Sequence, residues 1–161
     1  ITTGKLNANA ADDNGIYPFY TCSREDNFKI NTYAFDCEAL ILSGNNANAE
    51  YSVKHYSGKF NAYQRTYILT FKRNYSYLFF KMALENKLKI LQKNSIGSNT
   101  KYLTMGIFKR IDFELPSNDL QKKYENVAKK IDIIKQKMLT QSEELENQFQ
   151  ALMQKAFNGQ L

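Results

Sequence analysis

The chain has 161 residues, with 22 Lys and Arg against 16 Asp and Glu and a formal charge of +6 at neutral pH. A hydrophobic share of 43% is enough for a buried core, which excludes wholesale disorder. Two cysteines exclude a disulfide-rich scaffold, and no apolar run reaches the roughly 18 residues that a membrane span needs. The opening stretch ITTGKLNANAADDNG is polar, so no signal peptide is visible, and without an initiating Met it reads as a fragment or a processed chain. Residues 17–20 (YPFY) read as an edge strand, because Pro18 cannot donate to a ladder. Residues 39–43 (ALILS) read as a buried strand, closed by a turn at Gly44-Asn45-Asn46. Residues 51–56 (YSVKHY) alternate as a strand that Gly58 breaks, and residues 65–71 (RTYILTF) carry the clearest strand pattern. Residues 75–91 are helical in composition, with Tyr75, Leu78, Phe79 and Met82 on one side and Tyr77, Phe80, Leu84, Leu88 and Leu91 on the other. A helix apolar on both sides is packed on both sides. Residues 94–100 (NSIGSNT) read as a polar loop and residues 107–115 (IFKRIDFEL) as a last strand. The expected fold class is α+β, a strand-rich globule around one buried helix.

Pro116 marks a boundary. It biases Leu115 toward an extended backbone, and Ser117 or Asn118 can then cap a helix with Gln121 as a capping-box partner. The expected organisation is a globule over 1–115, a long helix over 116–157 and a tail over 158–161. In the helix, apolar or small residues fall at Leu120, Tyr124, Val127, Ile131, Ile134, Met138, Ser142, Leu145, Phe149, Leu152 and Ala156. Their spacing averages the 3.6 residues of a helical turn, so the stripe runs nearly straight rather than supercoiling strongly. At ~1.5 Å per residue the helix is roughly 60 Å long, far more than a globule of this size needs. The stripe is therefore expected to project and to pair with another helix.

The positive charge is unevenly spread. Residues 1–53 hold three basic against seven acidic side chains, residues 54–110 twelve against one, and residues 111–161 seven against eight. A middle stretch with an excess of eleven positive charges suits a polyanion, because neutralising phosphates releases counterions. Enzyme signatures are missing from the pattern. No phosphate-binding glycine loop of either common type occurs, and His55 is the only histidine, with no motif marking a triad around it. Cys22 and Cys37 with one histidine make no closed zinc site, and they read as thiols of a reducing compartment. No catalytic residue, cofactor or metal is expected, and the chain reads as a binding module of the cytoplasm.

The order of several short stretches is similar to that of a known family. These are Ile1-Thr2-Thr3-Gly4-Lys5, Gly15-Ile16-Tyr17-Pro18-Phe19-Tyr20-Thr21, and Tyr33-Ala34-Phe35-Asp36-Cys37-Glu38-Ala39-Leu40-Ile41-Leu42. Then come Tyr56-Ser57-Gly58-Lys59-Phe60-Asn61-Ala62-Tyr63-Gln64-Arg65, Gly97-Ser98 with Lys101-Tyr102-Leu103, Leu115-Pro116, and a helix ending Ala156-Phe157-Asn158-Gly159. The chain resembles one half of the DNA-specificity subunit of a type I restriction–modification enzyme. The resemblance implies a target recognition domain that reads one half of a split site on double-stranded DNA. It also implies a conserved helix that pairs antiparallel as a coiled coil and spaces the half-sites, methyltransferase subunits docked on the whole, and restriction subunits joining them. The chain shows one such domain and one such helix, so the helix would pair with a second copy or with the other half of the subunit. The competing readings are the recognition part of a fused restriction–methylation enzyme, a coiled-coil adaptor whose basic globule binds RNA or protein, and a nuclease or methyltransferase in its own right.

On that resemblance, the expected DNA-facing residues are Asn45, Asn46, Lys54, Lys59, Asn61, Tyr63, Gln64, Arg65, Lys72, Ser98, Asn99, Lys101 and Tyr102. Arg can meet guanine, and Asn or Gln adenine, through paired hydrogen bonds in the major groove. Lys54, Lys59, Lys72 and Lys101 would hold phosphates. The expected helix-pairing residues are Leu120, Tyr124, Val127, Ile131, Ile134, Met138, Leu145, Phe149 and Leu152.

Overall fold

The computed structural model describes residues 1–25 and 27–160. The chain divides into two units, Ile1–Gln121 and Lys122–Leu161. The first unit contains strands β1 (Thr2–Thr3), β2 (Tyr17–Tyr20), β3 (Lys29–Ile30), β4 (Phe35–Ser43), β5 (Asn45–Asn46), β6 (Val53–Ala62), β7 (Thr66–Leu69) and β8 (Lys101–Tyr102). It also holds helices α1 (Tyr77–Glu85), α2 (Leu88–Asn94) and α3 (Met105–Phe108) and a short 3-10 turn at Ala8–Ala10. The fold class is α+β, as expected. Six strands form one sheet in the order β1-β7-β4-β6-β2-β3, and β5 pairs with β8 as a separate ribbon.

Strand β4 is the spine of the sheet. It pairs antiparallel with β6 from Phe35 to Leu42 and with β7 from Leu40 to Ser43. Leu40 and Leu42 face a core shared with Val53, Tyr67, Leu84, Leu91, Leu103, Ile107 and Phe108. Ala39 and Ile41 face a second core with Tyr20, Phe60, Ala62 and Ile68. Burial on both faces is why ALIL is a continuous apolar run and does not alternate.

The sheet curls so that strands distant in its order meet. Gly4, just past β1, donates its N–H to the Thr66 carbonyl on β7 at 3.2 Å. The same residue lies against the backbone of Ala62 and Tyr63 at the end of β6, and Leu6 bridges Tyr63 in parallel. A Cβ on Gly4 would overlap the Ala62 carbonyl.

Several elements differ from the sequence expectation. Gly58 does not break β6, whose register with β4 runs unbroken from Val53 to Phe60. Its φ of +133° is a conformation that glycine adopts and other residues rarely do, so the strand passes through it without ending. Strand β2 is not at the edge. It lies between β3 and β6, and Pro18 sits ahead of the Phe19 and Tyr20 positions that pair with β6, where its missing N–H costs nothing. Asn45 and Asn46 form a strand with Tyr102 and Lys101 instead of a turn. The helix expected over 75–91 is two helices, interrupted at Asn86 and Lys87. The interruption still lets Tyr77, Phe80 and Leu84 from α1 and Leu88 and Leu91 from α2 reach one core. The last strand expected over 107–115 is absent. Ile107, Phe108 and Ile111 are spaced as on a helix, and they pack into the same core from α3 and the turn after it.

Helix α4 (Asn118–Phe157) runs for 40 residues. Ser117 caps it, its Oγ accepting from the Leu120 N–H at 3.4 Å. Gln121 does not close the expected capping box. Its Nε2 donates to the Pro116 carbonyl at 3.0 Å, and its Oε1 accepts from the Ser76 N–H at 3.1 Å. Ser76 is the residue that caps α1, so a side chain that is only 2% exposed ties the start of α4 to the start of α1. Replacing Gln121 with Leu strands a backbone donor and acceptor, and the expected loss is about 1–3 kcal/mol. Urea unfolding followed by tyrosine fluorescence measures it, since the chain has eleven tyrosines and no tryptophan.

Of the pairing stripe, Leu120, Val127, Ile131, Ile134, Met138, Leu145, Phe149 and Leu152 are each between 46% and 66% exposed, and Tyr124 is half-buried.

Candidate nucleic-acid interface

The expected DNA-facing residues do not form one surface. Those that do come together lie on the β5–β8 ribbon, the loop of residues 95–100 and the β6–β7 turn. The ribbon is anchored to the core from below. The Tyr67 hydroxyl donates to the Leu103 carbonyl at 2.8 Å, and the Leu103 N–H donates to the Gly44 carbonyl at 2.8 Å. Burial pushes the Tyr67 phenol above its ordinary pKa, which keeps this donor protonated. The loop of residues 95–100, which leads into β8, is closed at its base by a mutual backbone pair between Ile96 and Tyr102. Lys101 Nζ closes the loop by donating to the Gly97 carbonyl at 2.6 Å, and Ser98 and Asn99 stand exposed at its tip.

Arg65 comes to this ribbon from the β6–β7 turn. Its guanidinium carbon lies 5.2 Å from the centre of the Tyr102 ring. An aromatic face beneath a guanidinium fixes the plane of its donor fork while leaving the donors available. Beside it, exposed Gln64 donates to the Asn7 side-chain oxygen at 2.9 Å, and Tyr63 is half-buried.

Other members of the expected set have structural work. Asn61 is buried. Its amide donates toward Thr32 and its oxygen accepts from the Ala62 N–H at 2.9 Å, so it is not available to a base. The Asn45 side-chain oxygen is buried too. Asn46 Oδ1 accepts from the N–H groups of Asn48 and Glu50 and shapes the loop after β5. Lys54 Nζ donates to the carbonyls of Ser23 and Glu25, so its charge is directed at the backbone of the loop after β2. Lys59 is exposed away from the ribbon, its Nζ 4.7 Å from the centre of the Tyr33 ring. Lys72 is exposed beyond the end of β7.

Folding also rearranges the charge. Asp36 sits opposite Lys59 across the β4–β6 pair, and His55 Nε2 lies 2.8 Å from Glu38 Oε1 while its ring stacks on Tyr77. Lys59, one of the twelve basic side chains of residues 54–110, thus faces an acid from the preceding segment.

A family model described as the type I restriction modification DNA specificity domain matches residues 1–147. The chain belongs to this family. That agrees with the resemblance carried by its short stretches. It is 36% identical over 168 aligned residues to the type I restriction enzyme EcoDI specificity subunit of Escherichia coli, an alignment that takes in 100% of this chain and 36% of that one. The crystal structure of a type I restriction–modification system S subunit from M. genitalium shares the fold of this DNA specificity domain. The TM-score is 0.64 over 84% of this chain and 36% of that one, at 11% identity. The chain thus spans about a third of the length of the relatives it matches. The 1–147 match runs through the globule and most of α4. Among the described residues, no three His, Cys, Asp or Glu side chains are grouped to hold a metal ion, and no helix is long and apolar enough to cross a membrane.

Proposed function

We propose that the globule binds double-stranded DNA in a sequence-specific manner and reads one half of a bipartite site for a type I restriction–modification system. The match to a DNA specificity domain over residues 1–147 carries this reading. In it the chain is non-catalytic and cytoplasmic, methyltransferase subunits supply the chemistry, and restriction subunits join the assembly. Arg65, displayed on Tyr102, is the residue best disposed to bond a guanine edge through two hydrogen bonds. Lys101, whose ammonium keeps two donors beyond the one it gives the Gly97 carbonyl, holds the phosphates alongside with Ser98 and Asn99 at the loop tip. Helix α4 pairs with a second helix through its exposed stripe and fixes the distance between two globules.

The test is binding to a duplex selected by the wild-type chain from a random pool. Arg65→Ala is expected to cost roughly 1–3 kcal/mol and to relax preference at one base position. Lys101→Ala is expected to weaken all sequences alike and to lower the salt slope by about 0.9. Unchanged affinity and slope in both variants would remove this surface as the interface.

A further inference from the structure

The loop that leaves β2, residues 21–25, carries Arg24 inside the acidic first third of the sequence. The fold fixes this loop at three points. Lys54 Nζ donates to the Ser23 carbonyl at 2.9 Å and to the Glu25 carbonyl at 3.2 Å. The Cys22 thiol reaches the Arg65 carbonyl at 3.5 Å. The Arg24 guanidinium pairs with the Glu50 carboxylate at 3.0 Å. Glu50 is in turn tied to the ribbon, because its N–H donates to Asn46 Oδ1 at 3.3 Å and Asn46 pairs with Lys101. Two separate links thus join the loop that carries Arg24 to the surface that holds Arg65, Lys101 and Tyr102: Cys22 to the backbone of Arg65, and Arg24 itself through Glu50 to Asn46 of the ribbon.

The side chains of Arg24 and Glu50 are 67% and 46% exposed. An ion pair that open to water is weak. A guanidinium meets a carboxylate and a phosphate with the same forked geometry. The Glu50 carboxylate thus stands where a phosphate oxygen would stand, on a surface proposed to meet a polyanion. We propose that Arg24 is a DNA phosphate contact, held in place by the Lys54 clamp and occupied by Glu50 until the duplex displaces it. Lys54 then acts as a positioning residue, through backbone carbonyls, and does not touch DNA. This proposal rests on the DNA-binding reading above.

A double-substitution cycle tests it with the full chain, using the duplex that the wild type selects from a random pool. Arg24→Gln is expected to weaken binding about tenfold, equally for selected and unselected duplexes, and to lower the salt slope by about 0.9. Glu50→Gln is expected to tighten binding several-fold when Arg24 is present, and much less when residue 24 is Gln. An unchanged slope in Arg24→Gln overturns the proposal. So does an equal gain from Glu50→Gln in both backgrounds, because Glu50 then acts only as a negative charge near DNA. Circular dichroism checks that both exposed-site variants remain folded. A wild-type chain that retains no duplex at any salt overturns the DNA reading itself, and this proposal with it.

Discussion

Replacing Gly4 with Ala is expected to destabilise the globule by about 3 kcal/mol or more and to lower its melting temperature by about 10 °C. The added Cβ would meet the carbonyl of Ala62 and the carbonyl oxygen of Tyr63, which are backbone and cannot rotate away. Gly4 also carries the N–H that reaches Thr66, so relief by shifting the chain would lengthen that bond. The strain falls where the curled sheet brings β1 and the end of β6 together, and it opens both contacts at once. Gly106→Ala is the matched control. A Cβ there has only the Thr104 side-chain oxygen nearby, at 3.7 Å, and the position is inside α3. Alanine on a helix reduces unfolded-state entropy, so that variant is expected to be neutral or slightly more stable. Thermal melts followed by tyrosine fluorescence compare the two. Equal melting temperatures would mean that the sheet does not close through Gly4.

The parts of the fold legible in the sequence are those whose cause is local. The β4 run ALIL announces burial on both faces, and the even spacing from Leu120 to Leu152 announces one long helix. What could not be read depends on distant partners. Asn45 and Asn46 have no strand pattern of their own, and they are extended because Tyr102 and Lys101 come alongside. Ile107 and Phe108 sit in a stretch rich in strand-forming residues, yet their spacing to Ile111 is helical, and a short helix buries all three. The interface follows the same rule. Charge counted by segment singled out Lys54 and passed over Arg24. The fold turns Lys54 onto backbone carbonyls and pairs Arg24, from the acidic segment, with Glu50 in the loop after β5. Asn61 had the side chain of an adenine reader, but its place beside Thr32 within the sheet spends both ends of its amide.

Replacing Ile131 and Leu145 with Lys together is expected to abolish self-association of the chain through α4. Both side chains are exposed, at 46% and 66%, and both lie on the predicted pairing stripe. Burying each large apolar side chain contributes roughly 1.5–3 kcal/mol, and a symmetric pair of helices buries each position twice. Losing four such contacts weakens a dimer by at least about 10⁴-fold. The charges along the helix favour one arrangement of a second copy. From Asn118 to Lys137 there are six lysines against Asp119, Glu125 and Asp132. From Met138 to Phe157 there is Lys155 against Glu143, Glu144 and Glu146. Antiparallel pairing lays the basic half of one helix along the acidic half of the other, whereas parallel pairing sets like against like. Sedimentation equilibrium is therefore expected to show a wild-type dimer whose association weakens with added salt and a doubly substituted monomer. Lys122→Glu with Lys130→Glu, which reverses charge in the basic half without touching the stripe, is expected to weaken the dimer and to reverse its salt dependence, so that association strengthens with added salt as screening removes the new repulsion. A wild-type chain that stays monomeric at high concentration would mean that this stripe does not pair with itself.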